Sequence, residues 1–454
     1  MNPSALHRIV HLRILRSRIV QPRTVRLLAA FVLASLLCSS LAQRYFGHAM
    51  AVPNIDFYDY YFAAQAVRDH PRANLYEGAT GGNPQLTSAP AQSALAAEAR
   101  AAGIQDTELY LYPPLLADLL TPFAHLPAHM AAALWRALNL ALVLLAMALL
   151  APLLRVRLLS GEFALLAAAA YWFWPVHEAV SDGQVTIVLL ALWAFAVTAY
   201  ARGRVALSAL ALALATALKV TPLAILPLFL LWKERRWLAM YFSTLLGLTA
   251  LMAAGNGPEN LRLFAVAIGA MGQGIPALAN KSLTSLTAWI FYGKVFTLST
   301  ARAAMGGSPW LLRLAAKALS GAFFLGCLVL VWRARRRMDP SAKAVVLAVF
   351  ALVLCCIAPV SWRHGYTVAL LPLAMLWARA LRRPPRALHL GLLTLTTFTQ
   401  GSLFFDLAAA APIPGWAQIV CASLWIVLSC ALCLDTLYAM QSEETPVLVE
   451  NSGA

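Results

Sequence analysis

Long apolar runs recur along this chain, and most are separated by clusters of arginine and lysine. A helix needs about 20 predominantly apolar residues to cross the hydrocarbon of a bilayer. Backbone inside lipid must satisfy its own hydrogen bonds, which narrows the choice to helices and closed barrels. These runs are continuously apolar rather than alternating, which selects helices. Composition agrees: 61% of the 454 residues are apolar and 12% are charged, against about 25% charged in a soluble domain. The mean hydropathy is +0.71. The sequence therefore describes an all-α polytopic membrane protein and excludes a soluble globular one.

Breaks at basic residues and at Pro/Gly clusters divide the apolar sequence into stretches at 25–42, 129–154, 162–177, 183–201, 205–219, 220–232, 236–254, 309–332, 341–360, 365–381, 386–405 and 416–438, which is about twelve transmembrane helices. The stretch 220–232 is short, and joining it to its neighbour around Lys219 and Pro222 would give one broken helix. Charge decides between the two. With the N-terminus in the cytoplasm, the clusters Arg8 to Arg26, Arg155/Arg157, Arg202/Arg204, Lys233/Arg235/Arg236, Arg333 to Lys343 and Arg379 to Arg386 all face inward and hold 22 of the 35 basic residues, the positive-inside pattern. That requires 205–232 to cross twice, with Lys219 and Thr221 at an outer turn. The same alternation puts outside a first large loop at 43–128, a second at 255–308, the turn Asp182-Gly183-Gln184 and the segment Ser361-Trp362-Arg363-His364.

The expected organisation is a basic cytoplasmic leader at 1–24, a single transmembrane domain at 25–440 and a cytoplasmic tail at 441–454. The first apolar run also resembles a secretory signal ending near Ser40-Leu41-Ala42, but its basic leader is long for one, so it reads as an uncleaved anchor. The net charge of +16 follows from sidedness and calls for no nucleic-acid partner. All seven cysteines (Cys38, Cys327, Cys355, Cys356, Cys421, Cys430, Cys433) fall within apolar stretches and read as small core residues. No phosphate-binding loop, dinucleotide fingerprint or zinc-hydrolase motif is present, so no cofactor is expected.

The chemistry gathers in the outer segments. Residues 43–110 carry seven acids against four arginines. Within them, Asp56 and Asp59 stand at i, i+3 amid Phe57, Tyr58, Tyr60 and Tyr61, so on a helix they share a face. One could act as a base while the other orients or binds; an acidic helix N-terminus at the interface fits the same spacing. Tyr110-Leu111-Tyr112-Pro113-Pro114 leads an apolar stretch to about Leu126 that is too short and proline-rich to span, and reads as a re-entrant or interfacial helix; Asp118 inside it favours contact with protein over lipid. Lys219 ends an apolar helix, where a lysine either snorkels to headgroups or holds a lipid-linked phosphate. Arg363 and His364 beside Trp362 offer charge, hydrogen bonding and an aromatic platform. His177, Glu178 and Gln184 add polar groups to this face, and the loop carrying Asn280-Lys281-Ser282-Leu283 lies over it.

Taken in order, these pieces resemble the polyprenyl-phosphate-mannose-dependent mannosyltransferases of glycosyltransferase family 87. The resemblance runs from about residue 25 to 405. It rests on Asp56 with Tyr60-Tyr61 and Ala63-Ala64, then Leu75-Tyr76; Tyr112-Pro113-Pro114 with Leu126-Pro127; Gly183-Gln184; Lys219-Val220-Thr221-Pro222; Asn280-x-Ser282-Leu283; and Pro359-x-Ser361-Trp362-x-His364. It implies a GT-C-type fold in the cytoplasmic (inner) membrane. It also implies transfer of a hexose, usually mannose, from a polyprenyl-phosphate carrier to a lipid or glycan acceptor on the outer face. It puts the general base on Asp56, Lys219 and His364 at the donor phosphate, and Gln184 and Tyr112 in the cavity. Asp59, Asn280 and Arg363 complete the expected substrate-binding set. The chain departs from the family at Gly365, where a second histidine is frequent, and at Lys281, where glutamine is.

The residue chemistry fits such a transfer independently. A base must take the acceptor proton and cations must stabilise the departing phosphate; Asp56 offers the first, and Lys219, Arg363 and His364 the second. A single base opposite a phosphate leaving group predicts inversion at the sugar carbon. No metal is required, although Asp56 and Asp59 could bind one. A transporter or flippase of a lipid-linked or small-molecule substrate is the opposing reading. It expects ionisable groups to meet near mid-membrane rather than at one face.

Overall fold

A computed structural model describes residues 55–79, 93–104, 107–272, 274–305, 309–382, 385–401 and 404–441. The leader, the apolar run at 25–42, Cys38 and the tail beyond 441 lie outside the described residues. Those residues form helices and turns without a β-strand; the only extended pairings among them are two isolated bridges, Ala277 with Phe296 and Asn280 with Trp362.

Among the described residues, five helices are long and apolar enough to cross a membrane: Ala128–Leu150, Arg235–Asn256, Trp310–Ala334, Pro340–Ile357 and Gly415–Ala439. Their burial separates centre from rim. The apolar window of Pro340–Ile357 is 78% buried, against 11% for Arg235–Asn256 and 22% for Trp310–Ala334. A helix apolar on every side and buried on every side belongs at a core. The outer faces of the rim helices, with Leu246, Leu251, Leu314 and Leu325 all exposed, suit contact with lipid.

Several of the remaining expected stretches are interrupted, each for a local reason. The stretch at 162–177 becomes Gly161–Trp172 and Trp174–Asp182, broken at the extended Phe173, because Pro175 has no N–H to bond the Tyr171 carbonyl four residues back and is tolerated only in the first turn of a new helix. The stretch 220–232 is a 3₁₀ turn at Thr221–Ile225 followed by Leu226–Leu231, with Pro222 and Pro227 near the two starts. The segment after Trp362 begins as a 3₁₀ helix, Arg363–Ala369, before Leu370–Arg382. The helix Pro114–Leu120 packs Leu115, Leu116, Ala117 and Leu120 into the core, and its Asp118 accepts a 2.6 Å hydrogen bond from Asn256. That contact satisfies the polar group that lipid could not.

Among the described residues, the basic clusters meet at one end of the bundle. Tyr200 and Lys343 both bond Glu234, at 2.8 and 2.7 Å, Arg382 bonds the carbonyl of Leu154, and Arg337 that of Gln441. The contact between Tyr200 and Glu234 brings Arg202/Arg204 and Lys233–Arg236 together, as a hairpin between them demands. The helices that start or finish at this end, Thr186–Ala201, Val205–Leu218, Pro340–Ile357 and Leu370–Arg382, carry Gln184, Lys219, Pro359 and His364 at or just beyond their opposite ends.

Candidate functional site

At that opposite end lies a cavity of about 580 Å³. Asp56, Asp59, Tyr112, Glu178, Asp182, Gln184, Lys219 and His364 line it, above an apolar wall that includes Leu189, Trp193, Leu354 and Val368. Six of the eight residues expected from sequence thus share one space, although they come from segments more than 300 positions apart. Phe264, Ile268, Met271 and Ala279, from the expected second loop, also line it.

The turn at Gly183 sets the geometry. Its φ is +72°, a left-handed cap to the helix Trp174–Asp182, and a Cβ there would sit 2.5 Å from that of Phe57. Trp135 donates a 2.7 Å bond to the Gly183 carbonyl and stacks on Phe57. Glycine therefore lets helix Ile55–Asp69 lie directly against the turn, which brings Asp56 beside Asp182 and Gln184. Gly183→Ala is expected to be destabilising: a left-handed alanine costs about 1–2 kcal/mol and the overpacking about 1–3 kcal/mol more. A thermal unfolding midpoint equal to wild type in detergent would refute this.

Gln184 is 1% exposed. Its Oε1 accepts from Tyr60 and Tyr112 at 3.1 and 3.0 Å, and its carboxamide hydrogen-bonds Asp56. It ties two tyrosines to a carboxylate while touching the cavity. Tyr112 in turn offers its ring to Lys219, whose Nζ lies 5.6 Å from the ring centre. Asp59 serves the backbone instead: its Oδ1 accepts the Glu108 amide at 2.8 Å and pins the chain that leads into Tyr112.

His364 Nδ1 is 3.9 Å from the Asp182 carboxylate. Asp56, Asp182 and His364 each offer a ligand atom within 4.8 Å of the others, a donor set that suits a divalent cation better than Asp56 with Asp59 does. Burial raises the Asp56 carboxyl to about 6, opposed by the Gln184 hydrogen bond and the Lys219 charge. Burial, then the nearby carboxylates of Asp56 and Glu178, raises Asp182 to about 8. Burial and the cations of Lys219 and Arg363 hold His364 well below the usual histidine range. Around neutral pH these shifts favour an ionised Asp56, a protonated Asp182 and a neutral imidazole.

Two expected residues lie outside the cavity wall. Asn280 is fully buried, its Nδ2 donating to the Ile275 and Pro359 carbonyls at 2.7 and 3.0 Å and its Oδ1 accepting the Ser361 amide at 2.7 Å. With Lys281 N–H on the Ser361 carbonyl and Arg363 N–H on that of Ala279, the two motifs form one clamp that presents His364. The Arg363 guanidinium is held by Glu178 at 2.9 Å and Asp406 at 3.0 Å. Asp406 also pairs with Lys281, which is 0% exposed. Of the three basic side chains that sequence offered for a phosphate, Lys219 alone points a cation into the cavity with no described carboxylate in ion-pair range. Asp182 and Asp406 carried only weak sequence signals, a polar turn and an acid at the end of an apolar stretch.

A sequence model of glycosyltransferase family 87 matches residues 110–359. That stretch contains Tyr112, Asp182, Gln184, Lys219 and Asn280. The chain is also 29% identical over 299 residues to a polyprenol-phosphate-mannose-dependent alpha-(1-2)-phosphatidylinositol pentamannoside mannosyltransferase of Mycobacterium tuberculosis (strain CDC 1551 / Oshkosh), covering 63% of each protein. The chain therefore spans less than two thirds of that relative's length. With more than half of its residues inside the family match, the chain belongs to glycosyltransferase family 87.

Proposed function

We propose that this protein transfers a hexose, mannose in the first instance, from a polyprenyl-phosphate carrier to a hydroxyl of a lipid or glycan acceptor. The acceptor oxygen attacks the anomeric carbon, the bond from that carbon to the phosphate oxygen breaks, and the acceptor proton passes to Asp56. Polyprenyl phosphate departs with the bonding electron pair beside Lys219, and the sugar carbon inverts. Asp182 and the neutral His364 orient the reacting groups by hydrogen bonds; Tyr112 and Gln184 hold Asp56 and Lys219 in register. The observation that carries this reading is the meeting of Asp56, Lys219 and His364 in one cavity at the end of the bundle away from the basic clusters. A flippase would gather its charges at mid-depth.

The wider organisation belongs to the same proposal. We read residues 25–440 as one GT-C-type domain of about twelve crossings in the cytoplasmic membrane, with both termini inside. The loops 43–128 and 255–308, and the cavity with them, then face outward. Six of the twelve expected crossings rest on shorter or broken helices, which protein-lined cavities permit.

The test is transfer by purified protein in liposomes from radiolabelled polyprenyl-phosphate-mannose to a membrane lipid extract, followed across pH. A base that works ionised makes the rate rise as pH climbs through about 6. A neighbour needed in its protonated form makes the rate fall above about 8. The two limbs belong to the coupled carboxyl pair. Absence of product with mannose and with other prenyl-phosphate sugars would sink the proposal, and a flat profile would remove Asp56 and Asp182 from the reaction.

A further inference from the structure

Beside the large cavity lies a smaller one of about 160 Å³. It shares Gly272 and Pro359 with the first and is otherwise lined by Pro276, Thr284, Ala288, Ile357 and one face of the helix Trp310–Ala334. That face presents Arg313, Lys317 and Ser320, at i, i+4 and i+7, together with Leu312 and Ala316. Neither cation has a carboxylate in ion-pair range among the described residues. The Ser320 hydroxyl is buried without a hydrogen-bond partner there.

Two cations in the first turns of a helix that carries no further charge until Arg333 in its last turn need a reason, because ionisable groups within a membrane-crossing helix are expensive unless they face protein, water or a counter-ion. Snorkelling would suffice for one lysine. It does not account for Arg313, Lys317 and an unpartnered hydroxyl converging on a void. The chemistry of the void is that of a phosphate: two cations and the unpartnered Ser320 hydroxyl, with Thr284 in the wall, over a floor of proline, alanine and isoleucine. The outer face of the same helix is apolar and exposed at Leu311 and Leu314, so a chain attached to the phosphate can lie along it in lipid.

We infer that Arg313, Lys317 and Ser320 form a second phosphate subsite, which holds a lipid phosphate of the prenyl carrier beside the reaction cavity as it enters loaded or leaves spent. The inference rests on the transferase reading above. In that reading the carrier must pass between lipid and cavity, and the wall shared at Gly272 and Pro359 is where it would do so. Holding the phosphate here requires no covalent step.

Native mass spectrometry of the full chain can count bound molecules of a synthetic polyprenyl monophosphate, with neutral polyprenol and phosphatidylglycerol as parallel probes. Wild type should carry up to two polyprenyl monophosphates. Arg313→Gln/Lys317→Gln should lose one of them, with at least a tenfold weaker second binding event, roughly what lost hydrogen bonds to a charged group imply. Lys219→Gln should lose the other, and the charge-preserving Arg313→Lys/Lys317→Arg should keep both, which separates the site from a folding defect. Two molecules on the charge-neutralised variant would overturn the subsite while leaving the transferase reading intact. An equal loss of phosphatidylglycerol would make it a general lipid contact and overturn the assignment to the carrier. If wild type prefers polyprenyl monophosphate over polyprenol at neither position, both the subsite and the transferase reading fall.

Discussion

Asp56→Asn is expected to lower sugar transfer by about 10²–10⁴-fold, the usual contribution of a positioned base, while leaving the fold in place. The asparagine keeps the size of the side chain and an oxygen that can still accept from Gln184, so what is lost is the capacity to take a proton. Asp59→Asn makes the informative contrast. Its Oδ1 accepts the Glu108 amide, and an asparagine oxygen can do the same, so the expected loss is small. Asp182→Asn tests the electrostatics of the cluster. A carboxyl raised to about 8 is protonated at neutral pH, and asparagine imitates that form. Transfer should survive at pH 7, and the fall above about 8 should disappear. Initial rates for the three variants in liposomes, each with its own pH profile, check the set. Equal rates for wild type and Asp56→Asn would move the base elsewhere, and unchanged alkaline behaviour in Asp182→Asn would mean that another group sets that limb.

Much of this arrangement is legible in the sequence because it follows from charge and period. The alternation of basic clusters fixes which ends of the helices share a face, and the bonds from Tyr200 and Lys343 to Glu234 reflect that alternation in three dimensions. The break at Lys219 is legible because Pro222 follows it. Arg363 shows where such reading stops. In sequence it stands beside His364 as a cation free for a phosphate, yet its partners Glu178 and Asp406 lie 185 and 43 positions away. Local pattern carries no information about pairings at such separations. Asn280 is similar: a polar motif over the cleft becomes a staple, because its amide satisfies backbone groups at Ile275, Pro359 and Ser361 that no regular element covers. The interruption inside an apolar run such as 162–177 is missed for a different reason. Hydropathy registers apolar side chains and does not register that proline removes the donor which would continue the helix.

The second large effect is expected at Asp406, which touches no part of the cavity wall. Its carboxylate bridges the Lys281 ammonium and the Arg363 guanidinium. Lys281 has no exposed surface, and its Nζ lies 5.8 and 5.7 Å from the ring centres of Trp289 and Trp425, weak compensation for a full charge. Removing one partner of a buried pair costs about 3–5 kcal/mol, because the other charge remains in a low-dielectric site. Asp406→Asn should therefore unfold at a clearly lower temperature than wild type. It should also lose transfer, since Arg363 belongs to the backbone clamp that presents His364. Removing both charges is different. Lys281→Gln, which places there the residue frequent in the family, leaves Asp406 the Arg363 partner, so the single change should be mild. Lys281→Gln/Asp406→Asn should recover much of the stability that Asp406→Asn loses. A double-mutant cycle on thermal midpoints measures that recovery, with a coupling expected toward the upper end of the roughly 0.5–3 kcal/mol seen for residues in contact. Strict additivity of the two changes would mean that the ammonium finds another partner, and that the clamp behind His364 is held by its backbone bonds alone.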